Sequence, residues 1–252
     1  NRVFDEVSRL ATGPLAGIAM AATARARGDV STLQRIVLGL YRMSTLFALP
    51  AFVGLAAIAP VLLPWLFGEH WTPAVIALQI LLLAGLRTAT GVFNVSILRA
   101  MGRADLPIVL LGAGVVLNAV LLPALAGWGL AGAALAVLAR TLATWPLGCL
   151  FIRATTGIPV AEQIRAGGAA TLAALVMGPV VMFALAGLLP GLPASMQLLL
   201  AIPLGGLVYA GVLMLLSPRT LPRTLDVLRA GFDRSDRSLA AVLGEPGASR
   251  PA

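Results

Sequence analysis

The sequence predicts an all-α fold, a polytopic transmembrane helix bundle of about seven spans. Three observations predict it. Apolar residues make up 59% of the chain and charged residues only 11%, against roughly 25% charged in soluble domains. Apolar runs of about 20 residues recur, and that length crosses a hydrocarbon core of about 30 Å. Between the runs, arginine-bearing segments alternate with arginine-free ones along the chain.

The first expected span covers residues 3–24, a weakly polar helix opened near its middle by Gly13 and Pro14. A basic linker over residues 25–42 carries Arg25, Arg27, Asp29, Arg35 and Arg42. The second span, 43–63, is closed by Pro64 and the loop Trp65-Leu66-Phe67-Gly68-Glu69-His70-Trp71-Thr72-Pro73. The third, 74–98, ends at the hinge Arg99-Ala100-Met101-Gly102-Arg103-Ala104-Asp105. The fourth, 106–125, ends at the uncharged turn Ala126-Gly127-Trp128-Gly129. The fifth is 130–152, and a polar stretch over 153–165 follows it. The sixth is 168–189; Pro190-Gly191-Leu192-Pro193 turns the chain into the seventh, 196–216. The tail over 217–252 is basic, with Leu221, Leu225, Leu228 and Phe232 at helical spacing. It reads either as an amphipathic helix on the membrane surface or as a solvated tail, with disorder expected past Arg234.

Short arginine-rich loops stay on the cytoplasmic side of a membrane. The segments 25–42, 99–105, 153–165 and the tail hold arginine, whereas 64–73, 126–129 and 190–195 hold none. The expected topology therefore has a cytoplasmic C-terminus. Trp65, Trp71 and Trp128 would lie at the outer interface and Tyr41 at the inner, where amphipathic rings settle. Asn1 in place of a starting methionine, followed by helix-like residues, leads us to expect further sequence before it.

Composition also excludes several chemistries. All 18 basic residues are arginine. Without lysine there is no phosphate-binding Gly-Lys-Ser/Thr loop and no lysine Schiff base. One cysteine, Cys149, and one histidine, His70, allow neither a disulfide framework nor a zinc site of the His/Cys kind. The expected outer loops carry a single acid, Glu69. That argues for a transporter-like body and against an enzyme; no catalytic residue, metal or cofactor is expected.

Ionisable and strongly polar groups at membrane depth are functional candidates, because burying a charge there costs about 2.5–3.5 kcal/mol on insertion scales. Gln79, Arg87, Thr90 and Asn94 fall close to one face of the third span. Such a stripe would line a water-filled cavity; the alternative is an arginine satisfied by carbonyls or another helix. Arg140 lies near the middle of the fifth span, beside Thr141 and Thr144. It either serves the cavity, pairs with a carboxylate upstream, or snorkels. Asn118 in the fourth span either lines the cavity or ties two helices together. In the first span, Arg2–Glu6 and Asp5–Arg9 are helical i,i+4 pairs. Arg2 and Arg9 are candidates for holding an anionic head group, since a planar guanidinium can bind two phosphate oxygens at once. An interfacial helix end is the other reading of the same residues.

Several stretches carry a family resemblance. Asn1-Arg2-Val3-Phe4 and Gly13-Pro14-Leu15 open the series. The run Ala51–Pro60 leads into Leu66-Phe67-Gly68-Glu69-His70-Trp71-Thr72-Pro73-Ala74. Leu98-Arg99-Ala100-Met101-Gly102-Arg103 and Gly129-Leu130-Ala131-Gly132-Ala133-Ala134 complete it. In order and spacing these resemble the C-terminal half of the polysaccharide flippases of the multidrug/oligosaccharidyl-lipid/polysaccharide exporter superfamily. The resemblance covers residues 1–216. It implies the second lobe of a two-lobed carrier of 12–14 helices with an arginine-lined central cavity. It also implies a cargo, a polyprenyl-diphosphate-linked oligosaccharide moved from the cytoplasmic to the periplasmic leaflet of the bacterial inner membrane for surface polysaccharide. Arg2 and Arg9 match the helix where that family's cavity arginines are expected. Related alternatives are a drug exporter or a peptidoglycan-precursor lipid flippase; an alternative of another class is a membrane polysaccharide polymerase or ligase. Other polysaccharide assembly proteins are possible partners, and no nucleic acid is expected.

Overall fold

Asp29 starts the first described helix by capping it. Its carboxylate accepts from the backbone N–H groups of Ser31 at 2.9 Å and Thr32 at 3.2 Å, two of the donors a helix start leaves without partners. The computed structural model describes residues 29–217, apart from the side chains of 88–92. The expected first span, with Arg2, Asp5, Glu6 and Arg9, and the tail from 218 onward lie outside the described residues.

Six α-helices make up the described chain. They are α1 (Val30–Phe67), α2 (Ala74–Ala100), α3 (Asp105–Leu125), α4 (Gly129–Thr156), α5 (Val160–Phe183) and α6 (Ala194–Leu216). One short helical turn joins α1 to α2 and another joins α3 to α4, and a π-turn at Ala184–Leu188 extends α5. There is no strand among the described residues, so the fold is an all-helical bundle. Among the described residues, four stretches are long and apolar enough to cross a membrane: Val30–Phe67, Asp105–Thr156, Val160–Leu188 and Ala194–Leu216. Ala74–Arg87 is a shorter apolar one. The 52-residue stretch doubles back at Trp128, because α3 and α4 pack against each other.

Several boundaries differ from expectation, most of all the start of α1. The residues read as a basic linker up to Arg42 are helical from Val30. The reason is periodicity: Leu33, Val37 and Tyr41 recur one turn apart and are buried, while Arg35 and Arg42 face outward. Charge density hid an amphipathic extension. At about 1.5 Å per residue the 38 residues of α1 run roughly 57 Å, well past a hydrocarbon core of about 30 Å. Likewise α5 begins at Val160, inside the stretch read as polar.

The turns are built by glycine where the backbone demands it. Gly102, at φ 81°, closes α2. Its N–H donates to the Arg99 carbonyl and that of Arg103 to the Leu98 carbonyl, each at 2.9 Å, which is the Schellman pattern. Gly132 fits only because it lacks a side chain: a Cβ there would lie 1.9 Å from the Leu125 carbonyl oxygen.

α1 is the central helix. It packs on α5, on α2 and, less extensively, on α6. Small residues bring the helices close. A Cβ on Gly167 or Gly178 of α5 would meet Thr45 or Val53 of α1 at 2.8 Å, and one on Gly85 of α2 would meet the Phe52 ring at 2.5 Å. The largest core runs between α1, α5 and α6 through Leu49, Phe52, Ala173, Met177 and Leu213. On the other side of α2 lie α4 and then α3. Outward faces of α3, α5 and α6 keep large apolar side chains exposed, among them Leu111, Phe183, Leu199 and Leu207, as a lipid-facing surface does.

Candidate binding cleft

α4 and α5 follow each other in sequence but scarcely touch along their lengths. Gly157, at φ 75°, ends α4 with its N–H on the Arg153 carbonyl, and Ile158-Pro159 turns the chain into α5. From that turn the two helices diverge, α4 held against α2 and α5 against α1. The space between them is a cavity of about 260 Å³.

The floor is polar. α2 contributes Arg87 and Asn94, two helical turns apart; α1 contributes Tyr41; α5 contributes Gln163 and Thr171. Arg87 reaches along α4, its Nη1 3.5 Å from the Thr144 hydroxyl oxygen. Thr144 in turn donates to the Arg140 carbonyl at 3.0 Å. Gly148 makes room for this arrangement. A Cβ there would sit 3.2 Å from Arg87 Nη2 and 3.4 Å from Asn94 Nδ2. The Tyr41 hydroxyl donates to Asn94 Oδ1 at 2.5 Å, which fixes the carboxamide and leaves its NH2 toward Gly148. Gln163 is anchored by its own amide, which donates to the carbonyls of Cys149 and Ile158 at 3.1 Å each. Trp145 and Cys149 of α4 complete that wall. The rim is apolar: Leu83, Leu142 and Ile164 line the cavity and are also exposed on the bundle surface. The cleft thus joins a cluster of cationic and hydrogen-bonding groups to largely apolar walls and a greasy mouth.

The sequence-derived candidates fall into three groups. Arg87 and Asn94 come together in the cleft. Gln79 does not reach it, because its amide donates to the Ala56 carbonyl of α1 at 2.9 Å. Arg140 and Asn118 do not line it either. Arg140 lies against Gly114 of α3, with Nη1 3.5 Å from where a Cβ would be. Arg140 Nε and Asn118 Oδ1 are buried without a hydrogen-bond partner among the described residues. Arg2 and Arg9 lie outside the described residues.

Tyr41, expected at the inner membrane interface, is only 2% exposed, packed inside the bundle and bonded to Asn94. Its spacing from Leu33 and Val37 carried that signal. Trp145, Gly148 and Gln163 were missed as well. Gln163, Gly167 and Thr171 recur one turn apart along the cleft, a pattern obscured by reading 153–165 as a loop.

The ends of the helices sort by charge. Leu33, Val37, Tyr41, Phe93, Ile97, Ile152 and Ile158 form one buried cluster. The Gln34 amide crosses from α1 to the Thr156 carbonyl at the end of α4 at 3.2 Å. These contacts gather the start of α1, the ends of α2 and α4 and the start of α5. Arg35, Arg99, Arg153 and Arg165, all exposed, stand at that end. In the hinge after α2, Arg103 holds Asp105 at 3.0 Å, and that guanidinium keeps the carboxyl below its ordinary range.

Residues 1–76 match a family model described as "Polysaccharide biosynthesis protein". The match supports a role in polysaccharide biosynthesis. It spans α1, with Tyr41 and Leu49 of the cleft, and stops at the start of α2. Neither a curated protein nor a solved structure matches the chain.

Proposed function

We propose that this chain is one lobe of a membrane carrier for a polyprenyl-diphosphate-linked oligosaccharide. It moves the cargo from the cytoplasmic to the periplasmic leaflet of the bacterial inner membrane during surface polysaccharide synthesis. The observation that carries the proposal is the two-part cleft between α4 and α5. A guanidinium at mid-helix, with an amide and hydroxyls around it, suits a diphosphate and its first sugar. The apolar rim at Leu83, Leu142 and Ile164 suits a polyprenyl chain that remains in the bilayer. The family match over residues 1–76 supports the polysaccharide context.

On this reading the protein binds, orients and exposes its cargo alternately to the two sides, with no covalent step. Arg87 receives the phosphate charge. Asn94, held by Tyr41, presents its NH2 to an acceptor oxygen. The arginine-bearing end faces the cytoplasm.

The test is transfer of a fluorescent lipid-linked oligosaccharide across liposomes containing the full-length protein. Removing a charge-assisted hydrogen bond costs about 1.5–3 kcal/mol, so Arg87→Ala is expected to slow transfer about tenfold or more. Arg87→Lys should retain part of the rate, because it keeps the charge but loses the planar fork. A folded Arg87→Ala protein that moves the cargo at the wild-type rate defeats the proposal. Chain-lengthened glycan in place of transfer would instead identify a polymerase.

A further inference from the structure

α1 contains prolines at positions where a helix cannot complete its own hydrogen bonds. Pro50, Pro60 and Pro64 lie inside it. A proline has no N–H to give the carbonyl four residues earlier, and its ring pushes that carbonyl aside. The carbonyls orphaned by Pro50 and Pro60 belong to Leu46 and Ala56. Each receives a side chain from a different neighbouring helix. The Tyr209 hydroxyl of α6 donates to the Leu46 carbonyl at 2.8 Å, in a buried site. The Gln79 amide of α2 donates to the Ala56 carbonyl at 2.9 Å. At both joints, a foreign donor stands where the backbone donor is missing.

Position gives these bonds their consequence. The segment of α1 before Pro50 carries Tyr41 and Leu49 into the cleft wall. It is tied to α2, α4 and α5 by the buried cluster around Val37 and Ile97. The segment beyond Pro50 packs through Phe52, Val53 and Ala57 into the main core. A change of angle at Pro50 therefore moves Tyr41 and Leu49 relative to the main core, and release of Gln79 at Pro60 frees α2, which carries Leu83 and Arg87 of the cleft, from α1.

We infer that Tyr209 and Gln79 are latches on a proline-jointed α1, each supplying the hydrogen bond that Pro50 or Pro60 removes, and that releasing either changes how readily the cleft opens. As a device of a carrier this rests on the proposed function; as a property of the helix it does not. Both are positioning residues, since neither lines the cleft.

Two mutant cycles in the full-length protein in lipid nanodiscs test it. The readout is the rate constant for alkylation of Cys149 by N-ethylmaleimide, with the modified peptide identified by mass spectrometry. Cys149 lines the cleft and is buried, so it reacts when the cleft opens. Tyr209→Phe and Gln79→Leu are each expected to change the rate about threefold, the size of a typical interhelical hydrogen bond. Pro50→Ala restores a backbone donor for the Leu46 carbonyl, so Tyr209→Phe should have no effect in that background. Gln79→Leu should likewise have no effect alongside Pro60→Ala. A hydroxyl or amide that matters only for packing would act equally in both backgrounds, and that result overturns the inference. So does an unchanged rate in both single variants. The two cycles are independent instances, so a background that fails to fold leaves the other to decide. No glycan transfer is read here, so the joints can stand if the carrier proposal falls, and the reverse.

Discussion

Asn94 owes its orientation to Tyr41, and the pair ties the two helices that carry them. Both groups are buried, so removing one leaves the other without its partner. That costs about 1–3 kcal/mol. Asn94→Leu is therefore expected to lower stability in detergent by that amount, measured by thermal unfolding. Tyr41→Phe together with Asn94→Leu should cost clearly less than the sum of the two single changes. Additive costs would show that the bond contributes nothing. Arg87 and Asn94 were legible in the sequence because their spacing puts two polar side chains on one face of an apolar helix. Tyr41 and Gly148 were not, because their roles depend on which helices meet. Gln79 was legible as a polar group on the same face, expected in the cavity, but a proline on another helix decided its partner.

At the scale of elements, the start of α1 shows how periodicity and charge compete as signals. Arg35 and Arg42 marked a linker, yet the buried turn-by-turn series of Leu33, Val37 and Tyr41 makes a helix with one wet face. Asp29 caps it. The hydroxyl of Thr32 and then that of Ser31, with their N–H groups, hold its carboxyl well below the ordinary carboxylate range. A depressed folded value means that the cap's contribution is complete above the ordinary carboxylate range. It is lost as pH falls through the lower folded value. Hydrogen exchange at Leu33 and Gln34 should accordingly rise in Asp29→Ala at neutral pH. In the wild type the protection should persist to mildly acidic pH. Protection unchanged by the substitution would show that packing alone sets this helix start. Other joints were readable directly: the Gly102 hinge and the Trp128 turn both lie where breakers interrupt apolar runs.

At the scale of the whole molecule, the sequence made the helical class plain, because few charges and long apolar runs leave a bundle as the way to satisfy the backbone in lipid. The alternation of arginine corresponds to a physical gathering of arginine-bearing helix ends around one buried cluster. The cleft was not legible in this form. It exists because α4 is drawn to α2 while α5 is drawn to α1, a choice made by small residues such as Gly167 and Gly178. The central claim is that this cleft takes the diphosphate head of a lipid-linked glycan at Arg87. Its most direct measurement is protection of Cys149 from maleimide by that ligand in the full-length protein. A ligand present at ten times its Kd should slow alkylation about tenfold. Neither the free oligosaccharide nor polyprenol alone should protect, and Arg87→Ala should abolish the effect. Equal protection in Arg87→Ala, or none at saturating ligand, would contradict the account.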